Sequence, residues 1–150
     1  MADPVRIVVE GVPIPYSERT TVWRGRVGSK RPAVLVAWQK AIAWAARDEM
    51  VHRTYVRGPI LLECRFFMPI PKQMLVSDRR LAEQGLLWHT KRPDRTNLIK
   101  AAEDALNMVV WADDGQVCAG SATKRYSTRP RIEIMVTTLP RPDPSEAPDK

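Results

Sequence analysis

At 150 residues, 44% hydrophobic and 27% charged, the chain suits one globular domain with a modest core. It has no apolar run long enough to span a bilayer and no apolar signal stretch at the N-terminus, so no membrane is expected and the expected location is cytoplasmic. The net charge of +7 is unevenly spread: Arg19, Arg24, Arg26, Lys30, Arg31, Lys40 and Arg47 fall in a stretch without a single acid, an electrostatic footprint for phosphate.

In chain order, Val5, Ile7 and Val9 alternate with Arg6, Val8 and Glu10, which predicts a half-buried strand ended by Gly11 to Pro15. Tyr16 to Lys30 reads as a polar loop in which Arg19, Arg24 and Arg26 surround Trp23, suited either to stacking on an exposed base or to packing at the core's edge. Pro32 is placed to open a helix running to Met50, with Val34, Trp38, Ala41, Ile42 and Ala45 on its apolar face. Lys40 and Arg47 share the opposite face, and Trp44 is expected in the core or a dimer contact.

Gly58 and Pro59 introduce a second strand, Ile60 to Met68, which is apolar on both faces and therefore expected to be central. A short helix from Asp78 to Gln84, capped by Ser77, interrupts a connection whose Lys72, Arg79, Arg80, Lys91 and Arg92 form a second basic patch. Met108 to Trp111 is rich in strand-forming residues. Gln116 to Tyr126 and Arg131 to Thr138 read as strands, with Lys124, Arg125 and Arg129 about the turn between them.

Cys64 and Cys118 fall in these apolar segments with no C-x-x-C spacing, so both are expected to be small buried side chains rather than zinc ligands. From Pro140 to Lys150 the prolines and the lack of apolar periodicity predict a disordered tail behind a domain of residues 1–139. The order β, α, β, short α, α, β, β predicts an α+β domain, a mixed β-sheet packed with helices.

The stretch Lys91 to Val117 organises the rest. Thr96, Lys100, Glu103 and Asn107 fall on a polar stripe of one helix, opposite Leu98, Ala102, Ala105, Leu106 and Val109. Pro93 marks the start, Asp94 or Thr96 offers a cap, and Asp113-Asp114-Gly115 makes an acidic turn into the next strand. Taken singly these are a cap, a turn and solvated helix charges. Taken together, carboxylates from separate segments beside a lysine are the set that holds a hard divalent metal against a phosphate.

Arg92-Pro93-Asp94-Arg95-Thr96-Asn97-Leu98-Ile99-Lys100-Ala101-Ala102-Glu103-Asp104-Ala105-Leu106, followed by Asp113-Asp114-Gly115-Gln116-Val117, resembles the motif of the RusA-type Holliday junction resolvases, K-P-D-x-D-N-L-x-K-A-x-x-D-A-L and then D-D-x-Q-V. The resemblance implies a RusA-like fold and a homodimeric, Mg²⁺-dependent endonuclease (Mn²⁺ able to substitute) that cuts branched DNA, a four-way junction, by paired symmetric nicks. It implies catalytic roles for Asp94, Lys100 and Asp114, with Asp94 and Asp114 on the metal and Asp113 as a neighbouring candidate. It also implies DNA contacts along the basic segments, where Arg19, Arg24, Arg26, Lys30, Arg31, Lys40, Arg47, Lys91, Arg92, Lys124 and Arg125 are the candidates.

The chain departs from the motif at Thr96, where the family commonly has a second catalytic aspartate. Glu103 lies seven residues on, about 20° around and roughly two turns along the helix, so its longer side chain is the candidate replacement on the metal. Two other readings follow: a protein that binds branched DNA without cutting it, because of Thr96, and a small RNA-binding or architectural domain. Against the second, no aromatic pair has the spacing of an RNA-recognition strand.

Overall fold

Alternation at period two builds the sheet. In the computed structural model, which describes residues 3–149, Val5, Ile7 and Val9 turn inward from β1 (Val5–Glu10), while Arg6, Val8 and Glu10 face out. Met1, Ala2 and Lys150, at the ends of the expected domain and tail, lie outside the described residues.

The remaining elements are β2 (Arg19–Trp23), β3 (Arg26–Lys30), α1 (Ala33–Glu49), β4 (Ile60–Pro69), α2 (Val76–Glu83), α3 (Arg95–Leu106), β5 (Val117–Ser127) and β6 (Arg131–Thr138). Four strands make one sheet in the order β1-β6-β4-β5, with β4 inside it as its two-sided apolar pattern requires. β4 pairs antiparallel with β6 and parallel with β5. A parallel neighbour needs a crossover, which α2 and α3 provide. The fold is therefore α+β with a mixed sheet.

Helices α1 and α3 close one face of that sheet. Trp38, Ile42 and Ala46 of α1 and Leu98, Ala102 and Leu106 of α3 join Ile7, Leu62, Phe66, Ile132 and Val136 in one core. Gln39, buried on this face, donates to the Ala101 carbonyl at 3.1 Å and accepts from Arg31, tying α1 to α3. Gly120 permits the close parallel pairing: a Cβ there would stand 2.3 Å from the Leu62 carbonyl oxygen.

Four expectations are corrected. Tyr16 to Lys30 is not a loop throughout: β2 and β3 form an antiparallel ribbon. Arg24 and Gly25, both at positive φ (52° and 73°), supply the two-residue turn whose twist suits a hairpin. The buried face of α1 is Leu35, Trp38, Gln39, Ile42 and Ala46, so Val34 and Trp44 are exposed at 58% and 69%; the polar Gln39 disguises the stripe. Ser77 does not cap α2, whose N-cap position is Leu75. Met108 to Trp111, outside the predicted element order, turns back on Leu106 through Val109 and Val110 N–H bonds to its carbonyl. Cys118 is exposed because β5 is the sheet's edge, while Cys64 is buried and its thiol is pushed up to about 12, by burial first and then by Glu103.

Beyond Thr138, Pro144–Glu146 makes an exposed 3-10 turn capped by Asp143. Among the described residues no helix is long and apolar enough to cross a membrane.

Candidate active site and nucleic-acid surface

Both ends of α3 carry acids, and the fold gives each end different company. At its start, Asp94 holds the N-cap backbone position (φ −69°, ψ 142°), yet its carboxylate accepts no capping bond. That leaves an exposed carboxylate free for other partners. Lys124 stands beside it on β5, donating to the carbonyls of Lys91 (2.8 Å) and Pro93 (2.7 Å). Burial lowers the Lys124 pKa, and Asp94 acts in the opposite direction. Arg95 bonds the Ala122 carbonyl at 3.3 Å, fixing this end of the helix against β5.

Toward the other end, Glu103 lies within charge range of Asp114 and of Lys100. Glu103 is half-buried over a cavity of about 340 Å³ between α3 and β5, lined also by Leu62, Cys64, Val117 and Gly120. Its pKa is raised, by burial first, then by the charges of Asp114 and Asp104, against the lowering pull of Lys100. Asp114 accepts a 3.0 Å bond from the indole N–H of fully buried Trp111, which anchors its carboxylate to the core. One Asp113 carboxylate oxygen accepts from Gly115 N–H, and the Asp113 backbone N–H donates to the Gln116 side chain in a capping box.

Glu103 thus feels the charges of both Lys100 and Asp114. Asp94 lies nine residues before Glu103, about 13.5 Å of helix rise away, and beside Lys124. Thr96 is exposed in the first turn of α3. Among the described residues no three His, Cys, Asp or Glu side chains gather closely enough to hold a metal by themselves. The donor set still fits a hard divalent ion: Glu103 and Asp114 repel each other, and Mg²⁺ is usually held by one or two carboxylates with water and phosphate completing its shell.

Sequence reading missed Tyr16. Its N–H bonds the Asn97 carbonyl at 2.9 Å, and its ring lies 4.3 Å from the Lys100 ammonium, a cation–π contact that positions the lysine beside its 3.8 Å ion pair with Asp104. The Tyr16 hydroxyl donates to Glu18, which also accepts from Ser29 of β3. No local motif announces a contact made across 84 positions of chain.

Of the candidate DNA contacts, Arg19, Arg24, Arg26 and Lys30 lie on the ribbon, all exposed. Arg31, Lys40 and Arg47 are exposed at the start and on the outer side of α1, and Lys91 and Arg92 are exposed just before α3. Lys124 is partly engaged by the two carbonyls, and Arg125 stacks on exposed Trp88 at 4.2 Å.

With this geometry in place, comparison with known proteins gives two results. The family model described as Endodeoxyribonuclease RusA matches residues 10–137. The chain is also 32% identical over 139 residues to the uncharacterized protein YqaN of Bacillus subtilis (strain 168), an alignment covering 89% of this chain and 96% of that one.

Proposed function

The chain belongs to the RusA endodeoxyribonuclease family, and from that premise we propose that it is a metal-dependent nuclease that resolves four-way DNA junctions by paired nicks, acting as a homodimer. The observation that carries the reading is the family match over residues 10–137, and it is supported by Glu103 standing within charge range of Asp114 and Lys100.

Asp114 and Glu103, with Asp94 and Asp113 as further candidates, would hold Mg²⁺ or Mn²⁺, whose chemistry there is to polarise the scissile phosphate and acidify a water. Trp111 keeps the Asp114 carboxylate oriented, so little reorganisation is needed when substrate arrives. Lys100, steered by Tyr16 and Asp104, offsets the negative charge that builds on the phosphate oxygens. Thr96 offers a hydroxyl that can orient a water but brings no charge. Glu103 supplies the carboxylate that Thr96 does not.

Two copies are needed for two symmetric nicks, one per strand. The basic ribbon and the Lys91–Arg92 approach hold the phosphates of the arms. The test is nicking of a labelled four-way junction by Lys100→Met and Glu103→Gln. Each should retain junction binding and lose at least about tenfold in rate, which is roughly 1.4 kcal/mol of barrier. Undiminished cutting by Glu103→Gln would remove Glu103 from the site.

A further inference from the structure

The β2–β3 ribbon stands off the domain, paired only with itself in the sheet topology, and all ten of its residues are exposed. Residues directly opposite in an antiparallel pair share a face. The register therefore sorts the ribbon into two unlike sides. One carries Arg19 opposite Lys30, Thr21 opposite Gly28, and Trp23 opposite Arg26; the other carries Thr20 opposite Ser29 and Val22 opposite Val27.

The first side is a cationic pair, a bare step, then an indole with a second cation across from it. Trp23 is 70% exposed, with the Arg24 guanidinium 4.5 Å from its ring, so the edge-of-core role is excluded. Glu18, just before β2, is already engaged by Tyr16 and Ser29. Cations spaced along a strand with an unburied indole among them match a phosphate backbone and the face of a base, since aromatic–base stacking needs no particular sequence. An acid-free basic face does not suit a second copy of this equally basic chain.

We infer that the ribbon is a branch-point reader: its cations follow one strand of an arm while Trp23 stacks on a base face that the branch leaves without a stacked neighbour. The Glu18–Tyr16 bond ties the ribbon's base to the side chain that holds Lys100. Engagement at the branch is thereby linked to the lysine. This inference rests on the junction-nuclease reading and deepens it by naming a residue that separates branched from linear DNA.

The test uses full-length protein in EDTA, with 2-aminopurine at the branch or in an arm of a four-way junction, and a linear duplex of equal length. Wild type should change the emission of the branch probe and not of the arm probe. Trp23→Ala should abolish that change and weaken junction binding by about 5- to 140-fold, the range for one lost base stack, with duplex affinity unchanged. Trp23→Phe should restore part of both. Since Trp23 is 70% exposed, the backbone circular dichroism should be the same for all three proteins.

Trp23→Ala that binds the junction like wild type, or that loses junction and duplex affinity equally, overturns the inference. A fall from dimer to monomer in Trp23→Ala, by sedimentation, would overturn it in favour of a second copy on the ribbon. If wild type itself shows no preference for the junction, the junction-nuclease reading fails and the inference with it. A wild-type preference that survives in Trp23→Ala sinks the ribbon alone.

Discussion

Asp114 has two jobs in this account, and they separate on substitution. Its carboxylate accepts the indole N–H of Trp111, a side chain with no exposure. Asp114→Ala leaves that donor without its partner, a loss of about 1–3 kcal/mol for a buried polar group. Because Asp114 itself is exposed, water can enter part of the gap, so about 1–2 kcal/mol is expected. For a chain of this size that lowers the melting temperature by about 2–8 °C. Asp114→Asn keeps an acceptor oxygen and should melt within about 1 kcal/mol of wild type, yet lose cleavage as fully as alanine.

Trp111→Phe removes the donor and part of a buried ring. It should cost about 2–4 kcal/mol by the scale of aromatic truncations, with cleavage falling because Asp114 is no longer oriented. Thermal melts and junction nicking on the three single variants, with the double variant Trp111→Phe/Asp114→Ala, complete the cycle. A coupling energy of about 1 kcal/mol is expected. Asp114→Ala melting with wild type, and strict additivity in the double variant, would refute the anchoring.

Gly120→Ala drives a methyl into the Leu62 carbonyl oxygen, a backbone atom that cannot swing aside; about 3 kcal/mol or more of destabilisation is expected in denaturant melts, and a loss under about 1 kcal/mol would show that β4 and β5 are not held this closely. Junction or duplex affinity should fall with salt at a log–log slope of about −6 if about seven phosphates are neutralised, and a slope near −2 would confine binding to one patch. Burial, with Lys124 and Lys91 nearby, lowers the His89 pKa, so the unfolded chain protonates first as pH drops below about 6.5. The stability that neutral His89 contributes is whole above that pH and is lost as pH falls through the lowered value. His89→Phe should remove this component from the melting-versus-pH curve between pH 7 and 5, and parallel curves for the two proteins would contradict it.

The outer strand β1 and the final strand β6 are legible because each buries one side and shows the period directly, and Arg131–Thr138 is read at its observed bounds. α3 was legible for the same reason at its own period, with Pro93 and Asp94 marking its start. The ribbon was not, because both its sides are exposed and no apolar alternation is required of it; its sign was the Arg24-Gly25 turn, with an arginine where asparagine or aspartate is usual.

The candidate acids stand out in the sequence by their motif, but the charges around each depend on tertiary structure. Helix α3 sets Asp94 beside Lys124 and Glu103 within charge range of Asp114, which sequence spacing alone does not show. Trp111 as an anchor and Tyr16 as a guide for Lys100 are contacts between segments, which periodicity does not encode.

The most direct measurement is gel-resolved cleavage of an end-labelled four-way junction against linear duplex, in Mg²⁺, Mn²⁺ or EDTA, by wild type and Asp114→Asn. Paired symmetric nicks in the junction alone, lost in EDTA and in Asp114→Asn, are the predicted result. Tight junction binding with uncut strands under every metal would contradict it and make the chain a binder of branched DNA, in which case restored cutting by Thr96→Asp would locate the missing charge.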